Sequence, residues 1–391
     1  MKKLMLLAAM FAAFACGSAP QPSSGGDSGS SSESGSGGES GTAVIKTPAF
    51  AKGADISWAS EMESAGKTFK KKDGTKADIL AVLADCGVNA IRLRVWVDPY
   101  KGWSGKDDVL AIAKRVKAAG MALMVDFHYS DFFADPSRQK IPAAWEADKA
   151  DLSKMCQHVA DHTTDVLKAL KDAGVTVNWV QIGNETRNGM LWPAGQLWDE
   201  KGNIADGRKH FAQLYNAGYD AAKALYPSAI VMPHLNNAYE DNEWWFREVK
   251  AEGAKFDAIA LSHYPHYESK KNGTILTPQR VNEEALASII ALSSKFEVPV
   301  IVSEVGVNRS KSGAADLLAS FMTEVRKISA CKGVFYWEPE VDGVWKPEIY
   351  SKPAELSKYS GTTVSSAWGP HDQGAFTTDG KPTSILDSFA N

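Results

Sequence analysis

The stretch Val180-Gln181-Ile182-Gly183-Asn184-Glu185 is an apolar run that turns at a glycine and ends on an amide and a carboxylate. This pattern predicts a buried strand with a reactive group at its exit. A second run, at residues 298–306, repeats the pattern and presents Glu304 in the same way. One glutamate at a strand end is more often solvated or ion-paired than catalytic. Two presented alike indicate the carboxylate pair that cleaves glycosidic bonds.

Short apolar runs recur along the whole chain and alternate with longer segments of helical period. The strand candidates are residues 51–56, 88–95, 121–128, 175–183, 229–233, 256–262, 299–304 and 333–337. The helical candidates are residues 78–86, 107–119, 152–173, 208–226, 282–296 and 314–330. Because parallel strands need crossover helices and these runs are too apolar for half-exposed strands, the order predicts an α/β fold, a (β/α)8 TIM barrel. A doubly wound sheet is the alternative.

In such a barrel the carboxyl ends of the strands form one mouth, so Glu185 and Glu304 should converge there. Arg92 and Arg94 are two residues apart and share a face, where each needs a carboxylate partner such as Glu304 or Asp55. Any one of the polar strand-end residues could instead belong to a structural hydrogen-bonded cluster. The other candidates for this mouth are Trp58, Trp96, Asp126, His128, Asp131, Ser262, His263, Tyr264, Trp337 and Glu338.

The composition is that of an ordinary globular protein, with 391 residues, 44% hydrophobic and 23% charged. The net charge is -4 and the basic runs are short, so we do not expect nucleic acid as a partner. Many of the 12 tryptophans fall in predicted loops. Flat aromatic rings pack against the C–H faces of sugars, so a groove lined in this way suits a polysaccharide.

The chain begins with two lysines and an apolar stretch at residues 4–15, which is too short to span a bilayer but suits a signal peptide. Small residues around Cys16 indicate a lipoprotein signal in which this cysteine carries the lipid; a plain secretory signal is the alternative. Residues 17–46 are rich in Ser and Gly and predict a disordered tether. We therefore expect a signal peptide at 1–16, a tether at 17–46 and a catalytic domain at 47–391.

These segments predict an exported protein that is lipid-anchored to the bacterial outer membrane or cell surface. We expect a monomer that touches the membrane only through its anchor. The remaining cysteines, Cys86, Cys156 and Cys331, have no metal-type or redox-type spacing and are interpreted as buried thiols. Export would permit one disulfide among them.

Further motifs extend the pattern in a fixed order along the chain. They are Gly53-Ala54-Asp55-Ile56-Ser57, Ile91-Arg92-Leu93-Arg94-Val95-Trp96, His128-Tyr129-Ser130-Asp131, Ser262-His263-Tyr264-Pro265 and Tyr336-Trp337-Glu338-Pro339. Together with the two glutamate motifs they resemble glycoside hydrolase family 53, the arabinogalactan endo-β-1,4-galactanases, in a bacterial lipoprotein form. The resemblance covers almost everything after the tether. It implies a clan A barrel that cleaves β-1,4-galactan or type I arabinogalactan internally with retention of configuration.

The resemblance also implies roles for individual residues. Glu185 would be the acid/base and Glu304 the nucleophile. Arg94 and Tyr264 would hold the nucleophile, and Asn184 would bond the sugar 2-hydroxyl. Trp337 would form the floor of the cleaved subsite. The other expected substrate contacts are Asp55, Trp96, His128 and His263.

Two departures from the family pattern affect subsite contacts. Phe133 stands where such enzymes often have tryptophan, and His263 stands in a usual Tyr-Tyr-Pro motif. The chemistry requires no cofactor. The loop after the eighth predicted strand lacks a clear acidic cluster, so the calcium site of some members is not supported by the sequence.

Two alternatives share many of these features. Another clan A endo-glycanase, a mannanase or a xylanase, would have both glutamates and differ in its subsites. A non-catalytic glycan-binding surface lipoprotein would keep the aromatic residues but would tolerate the loss of a glutamate.

Overall fold

The computed structural model describes residues 44–267, 269–361 and 372–390. The predicted signal peptide, Cys16 and most of the predicted tether lie outside these residues. Near the start of the described part, Ile45 already contacts the folded chain. Its backbone N–H donates to Thr176 Oγ1 (3.3 Å), and its carbonyl accepts from Asn178 Nδ2 (3.1 Å).

Eight stretches of strand, all parallel, form the central sheet. They are β1 (Ala51–Asp55), β2 (Ala90–Val95), β3 (Ala122–Phe127), β4 (Trp179–Ile182), β5 (Ile230–Met232, continued after Pro233 by His234–Leu235), β6 (Ile259–His263), β7 (Val300–Val305) and β8 (Cys331–Trp337). The first part of β5 pairs with β4 and its continuation pairs with β6. The sheet therefore closes on itself, which confirms the (β/α)8 barrel and excludes the doubly wound sheet.

Helices surround the barrel and connect consecutive strands. In the described part of the chain they are α1 (Ala59–Ser64), α2 (Ile79–Asp85), α3 (Lys106–Ala118), α4 (Leu152–Asp172), α5 (Gly207–Leu225), α6 (Glu243–Ala251), α7 (Pro278–Phe296), α8 (Ala314–Val325) and α9 (Pro353–Ser360). Side chains cap several N-termini, as where Asp78 accepts from Leu80 N at the start of α2. None of the helices in residues 44–267, 269–361 and 372–390 is long and apolar enough to cross a membrane.

Strand alternation separates two apolar layers and leaves a polar interior at one end. On β2, Ile91, Leu93 and Val95 point outward into the large core between barrel and helices. Ala90 points inward to a second cluster, where Trp179 and Phe335 meet edge to face at 5.6 Å. Further along β2 the inward residues are arginines, so the carboxyl end of the barrel is polar and buried.

The three cysteines of the described chain are free thiols. Cys86 and Cys331 are buried, as predicted, whereas Cys156 on α4 is half-buried. No disulfide links them.

Candidate active site

The structure brings Glu185 and Glu304 together at the barrel mouth. Glu185 follows β4 after Gly183 and Asn184, and its φ of 48° is uncommon for a residue other than glycine. Glu304 lies on β7. Ser262 Oγ is 2.7 Å from Glu185 Oε1 and 3.4 Å from Glu304 Oε2. Since both oxygens are this near to one atom, they lie no more than about 6.1 Å apart, which is compatible with the roughly 5–5.5 Å between the carboxyl groups of retaining glycosidases.

An irregularity in the sheet brings Ser262 close to both glutamates. Between β6 and β7 the register shifts after Leu261, so that Ser262 lies opposite Glu304 instead of Ser303. Such a bulge redirects side chains at the rim of a barrel. The bulge therefore places Ser262 beside both glutamates.

Glu304 is held by two donors on opposite sides. Arg92 Nη2 donates to Oε1 at 2.8 Å, and the Tyr264 hydroxyl donates to Oε2 at 2.6 Å. Burial raises the pKa of Glu304, while Arg92 and the Tyr264 hydrogen bond act in the opposite direction. These donors favour the ionised carboxylate.

Arg92 is the buried cation of the site. Its guanidinium contacts Asp55 Oδ2 (2.6 Å), Asp126 Oδ2 (2.7 Å) and Asn184 Oδ1 (3.0 Å) as well as Glu304. Three carboxylates around one guanidinium satisfy a charge that would otherwise be very costly to bury. The predicted partners of Arg92, Glu304 and Asp55, are both present.

Asp55 was expected to bind substrate, but the structure gives it a supporting position. It is fully buried, and its second oxygen, Oδ1, accepts from Ser57 N at 3.0 Å. With both oxygens occupied, Asp55 orients Arg92 beneath the mouth.

Asn184 is fixed next to Glu185, as its expected role requires. Its Oδ1 accepts from Arg92, and its Nδ2 donates to Ala134 O at 2.8 Å. The amide is therefore held in one orientation before any ligand arrives.

Arg94 is not the arginine that contacts the nucleophile candidate. It pairs with Glu338, and its guanidinium lies 4.0 Å from the ring centroid of Trp58. It is also 4.7 Å from those of Trp96 and Phe133. Trp96, expected at a substrate contact, is buried in this cage. Arg94 and Trp96 thus form the wall of the mouth, one layer away from Glu304.

The two predicted histidines occupy different environments. His128 lies inside the site, where Nε2 is 2.9 Å from Asp126 Oδ2 and Nδ1 accepts from Ala134 N at 3.0 Å. Both ring nitrogens are engaged, so His128 supports the wall.

His263 points away from the mouth, contrary to the expectation that it binds substrate. Its Nε2 is 2.7 Å from Asn282 Oδ1 on α7, and its ring packs 4.3 Å from Phe321 on α8. Burial lowers its pKa to about 4. Alternation along β6 explains this, because Ser262 and Tyr264 face inward and the residue between them must face outward.

Half-exposed aromatic residues border the glutamate pair. Trp337 meets Tyr264 edge to face at 6.0 Å and approaches Phe133 at 6.4 Å. Tyr267, which sequence reasoning missed, is 56% exposed and packs 5.3 Å from Tyr264. Its position two residues after the Tyr-Pro motif was the available signal. These rings leave an open aromatic surface next to the carboxylates.

Among the residues that the structure describes, Glu185 forms no ion pair with a Lys, Arg or His side chain. Burial and the neighbouring charge of Glu304 raise the pKa of Glu185 to about 8, so its carboxyl is protonated at neutral pH. A carboxyl that holds its proton beside a carboxylate that accepts from a guanidinium and a phenol is the arrangement that a proton donor and a nucleophile need. Within residues 44–267, 269–361 and 372–390, no group of three or more His, Cys, Asp and Glu side chains could hold a metal ion.

A (β/α)8 barrel with two such carboxyls at its carboxyl-terminal mouth has the design of a glycoside hydrolase. Comparison with known families agrees, since the family model described as glycosyl hydrolase family 53 matches residues 51–312. The chain belongs to this family and is a glycosidase.

Individual relatives support this assignment. The arabinogalactan endo-beta-1,4-galactanase of Thermothelomyces thermophilus is 33% identical over 306 residues, covering 74% of this chain and 89% of the relative. A structure from a study of two fungal beta-1,4-galactanases superposes with a TM-score of 0.68 at 27% identity, covering 87% of this chain and 98% of its own. The family 53 catalytic domain of Ignisphaera aggregans gives a TM-score of 0.69 at 26% identity, with coverages of 89% and 98%.

Proposed function

We propose that this glycosidase hydrolyses β-1,4-galactosidic bonds inside galactan or type I arabinogalactan, with retention of configuration. Glu185 serves as the acid/base and Glu304 as the nucleophile. The observation that carries the mechanism is the short separation of the two carboxylates across Ser262 Oγ. Two of their oxygens lie within about 6.1 Å of each other, which fits the closely spaced carboxyl groups of a retaining enzyme better than the roughly 6.5–9.5 Å between those of an inverting enzyme.

The division of roles follows from the two environments. Glu304 accepts from Arg92 and Tyr264, which support a negative charge. The pKa of Glu185 is raised to about 8, first by burial and then by Glu304, which keeps a proton available at neutral pH. The residue that holds the proton gives it to the departing sugar oxygen. The residue that holds the charge attacks the anomeric carbon.

The reaction then proceeds in two displacements. In the first, Glu304 forms an ester with the anomeric carbon as the glycosidic bond breaks and Glu185 protonates the leaving oxygen. Esterification removes the negative charge of Glu304. Because the repulsion between two neighbouring negative charges is then gone, the ionised form of Glu185 is lower in free energy. In the second, Glu185 takes a proton from water, the water oxygen attacks the anomeric carbon, and Glu304 is released.

Galactan is proposed as the substrate because galactanases are among the relatives and because the mouth is lined by aromatic rings. Half-exposed Trp337, Phe133 and Tyr267 offer surfaces for successive sugar rings. A surface of this kind binds a chain along its length and permits internal cleavage.

Incubating the purified protein with galactan, mannan and xylan tests the proposal directly. We expect new reducing ends from galactan and mixed oligosaccharides among its early products. Cleavage of mannan or xylan instead would support another clan A endo-glycanase, and binding without cleavage would support a glycan-binding lipoprotein. Accumulation of free galactose while the polymer stays long would contradict internal cleavage.

We also propose that the enzyme is exported and anchored through a lipid on Cys16, which lies outside the described residues. The support is the sequence alone, an apolar signal followed by small residues around one cysteine. Metabolic labelling with a fatty acid should mark the wild-type chain and leave Cys16→Ser unlabelled. Equal labelling of both chains would contradict the anchor.

A further inference from the structure

Ser262 contacts three ionisable side chains at the centre of the mouth, Glu185, Glu304 and His234. It is fully buried at the bulge on β6. Its hydroxyl oxygen is 2.7 Å from Glu185 Oε1, 3.4 Å from Glu304 Oε2 and 2.8 Å from His234 Nε2. Since a serine hydroxyl has a single hydrogen, the direction of these hydrogen bonds determines to which carboxylate the hydroxyl donates.

His234 fixes that direction. Burial, helped by the charge of Arg92, holds the pKa of His234 well below its usual range, so the ring is neutral and carries one N–H. Its Nδ1 faces two donors, the backbone N–H of Glu185 at 3.3 Å and the amide nitrogen of Gln181 at 3.0 Å. Nδ1 is therefore the acceptor, and the proton is on Nε2.

One further atom lies near the same nitrogen. Asn184 Oδ1 is 3.0 Å from His234 Nδ1, and Arg92 Nη2 and Gln181 Nε2 also lie 3.0 Å and 3.1 Å from this oxygen. The two hydrogens of Gln181 Nε2 are shared among this oxygen, His234 Nδ1 and Asp126 Oδ1, so the Gln181 amide alone does not fix the tautomer of His234. The backbone N–H of Glu185 fixes it, because its single hydrogen is directed at Nδ1, which must therefore be unprotonated.

The consequence for Ser262 is simple. His234 Nε2–H donates to the serine oxygen, which leaves the serine hydrogen free for a carboxylate. The nearer acceptor is Glu185 Oε1, at 2.7 Å against 3.4 Å for Glu304. A hydroxyl that donates to a carboxylate stabilises its ionised form.

We infer that Ser262, oriented by His234, is a positioning residue for Glu185 that supports its ionised carboxylate, the form required when it acts as the base. The inference deepens the proposed function and rests on it. Glu185 must be protonated in the first displacement and ionised before the second is complete. A donor at Oε1 brings the two forms closer in free energy and also holds the carboxyl in place between the steps.

Several other groups face Glu185. Glu304 on β7 and Asp135 in the loop after β3 raise its pKa, and Arg92 on β2 lowers it. Tyr264 and Tyr267 also lie near Glu185. Desolvation of their hydroxyls and the neighbouring carboxylates raise the pKa values of both tyrosines, so both are neutral. Burial itself raises the pKa of Glu185. Ser262 and Arg92 therefore lower the pKa of Glu185, whereas burial, Glu304 and Asp135 raise it.

The test is the alkaline limb of kcat/KM on galactan, which reports the protonated acid in the free enzyme. In the wild type, activity should fall as the pH rises through about 8. In Ser262→Ala the limb should move upward by about one to two pH units, the size expected for one hydrogen bond to a charged group. Ser262→Thr keeps the hydroxyl and should return the limb toward the wild-type position.

Ser303→Ala is the matched control. Ser303 is the buried serine next to Glu304 in sequence, and its hydroxyl has no hydrogen-bond partner among the residues that the structure describes. Its removal should leave the limb unchanged. A limb that stays near pH 8 in Ser262→Ala, with the wild type behaving as expected, would overturn the inference. A wild type that does not cleave galactan would contradict the proposed function instead.

A second measurement does not depend on activity or on a variant of Ser262. Nitrogen NMR of wild-type protein labelled in histidine should show His234 as the neutral Nε2–H tautomer near neutral pH, with His234→Gln used to assign the signal. If the proton is found on Nδ1, Ser262 must donate to His234 and not to Glu185, and the inference fails.

Discussion

Replacing Glu304 by alanine should slow galactan hydrolysis by roughly 10⁴-fold or more, the scale at which enzymes lose activity when a nucleophile within a catalytic unit is removed. Without this carboxylate no glycosyl-enzyme forms, so a substrate with a better leaving group should help little. Azide can enter the vacated space and attack the anomeric carbon from that side. The product of an aryl galacto-oligosaccharide should then be an α-azide, identified by NMR.

A control variant and the configuration of the azide product make this result specific. Glu340→Gln changes another fully buried carboxyl near the mouth, whose Oε1 accepts from Trp58 N at 3.1 Å and which contacts neither proposed catalytic residue. Burial and the nearby Glu338 hold the pKa of Glu340 well above its usual range, so an amide should replace it with little loss of activity. A β-azide from Glu304→Ala would mean that the two roles are reversed.

Replacing Glu185 by alanine should reduce galactan cleavage by about 10²–10⁴-fold, the usual contribution of general acid–base catalysis. The loss should shrink for an aryl galacto-oligosaccharide with an acidic phenol, because that leaving group needs no proton. The glycosyl-enzyme then accumulates, and azide in the space left by Glu185 should speed its turnover to a β-azide. The alkaline limb near pH 8 should also disappear, since its titrating group is gone.

The comparison between substrates distinguishes a lost proton donor from a damaged site. Equal losses on galactan and on the activated aryl substrate would contradict the acid/base assignment. Thermal unfolding of both alanine variants should be cooperative, which would show that the barrel remains intact.

The barrel itself was predictable from the sequence. Strand and helix patterns are local, since apolar runs of four to eight residues and amphipathic segments report the faces that each element buries. The eight predicted strands all occur, although the fourth begins at Trp179 and the fifth continues past Pro233 to Leu235. The short helices α1, α6 and α9 were not predicted. Strand order then placed Glu185 and Glu304 at one mouth, because parallel strands share a carboxyl end.

The contacts within the mouth were not predictable in the same way. Arg92 and Arg94 share a face but lie two residues apart, roughly 7 Å along the strand, and so belong to different layers of the barrel. Which layer meets Glu304 depends on the register between strands that are far apart in sequence. The structure selects Arg92, and Arg94 pairs with Glu338. His263 is a different case, because strand alternation alone would have placed it outside.

The sequence by itself determined the kind of barrel and the two strand ends that carry the proposed catalytic pair, since both follow from local patterns of apolar and polar residues. Only the tertiary structure decided which groups surround that pair. The bulge beside Leu261 sets Ser262 opposite Glu304, and the break at Pro233 brings His234 to the same oxygen. Such contacts join residues from separate strands, and they depend on the register with which those strands pair. No local sequence pattern encodes that register.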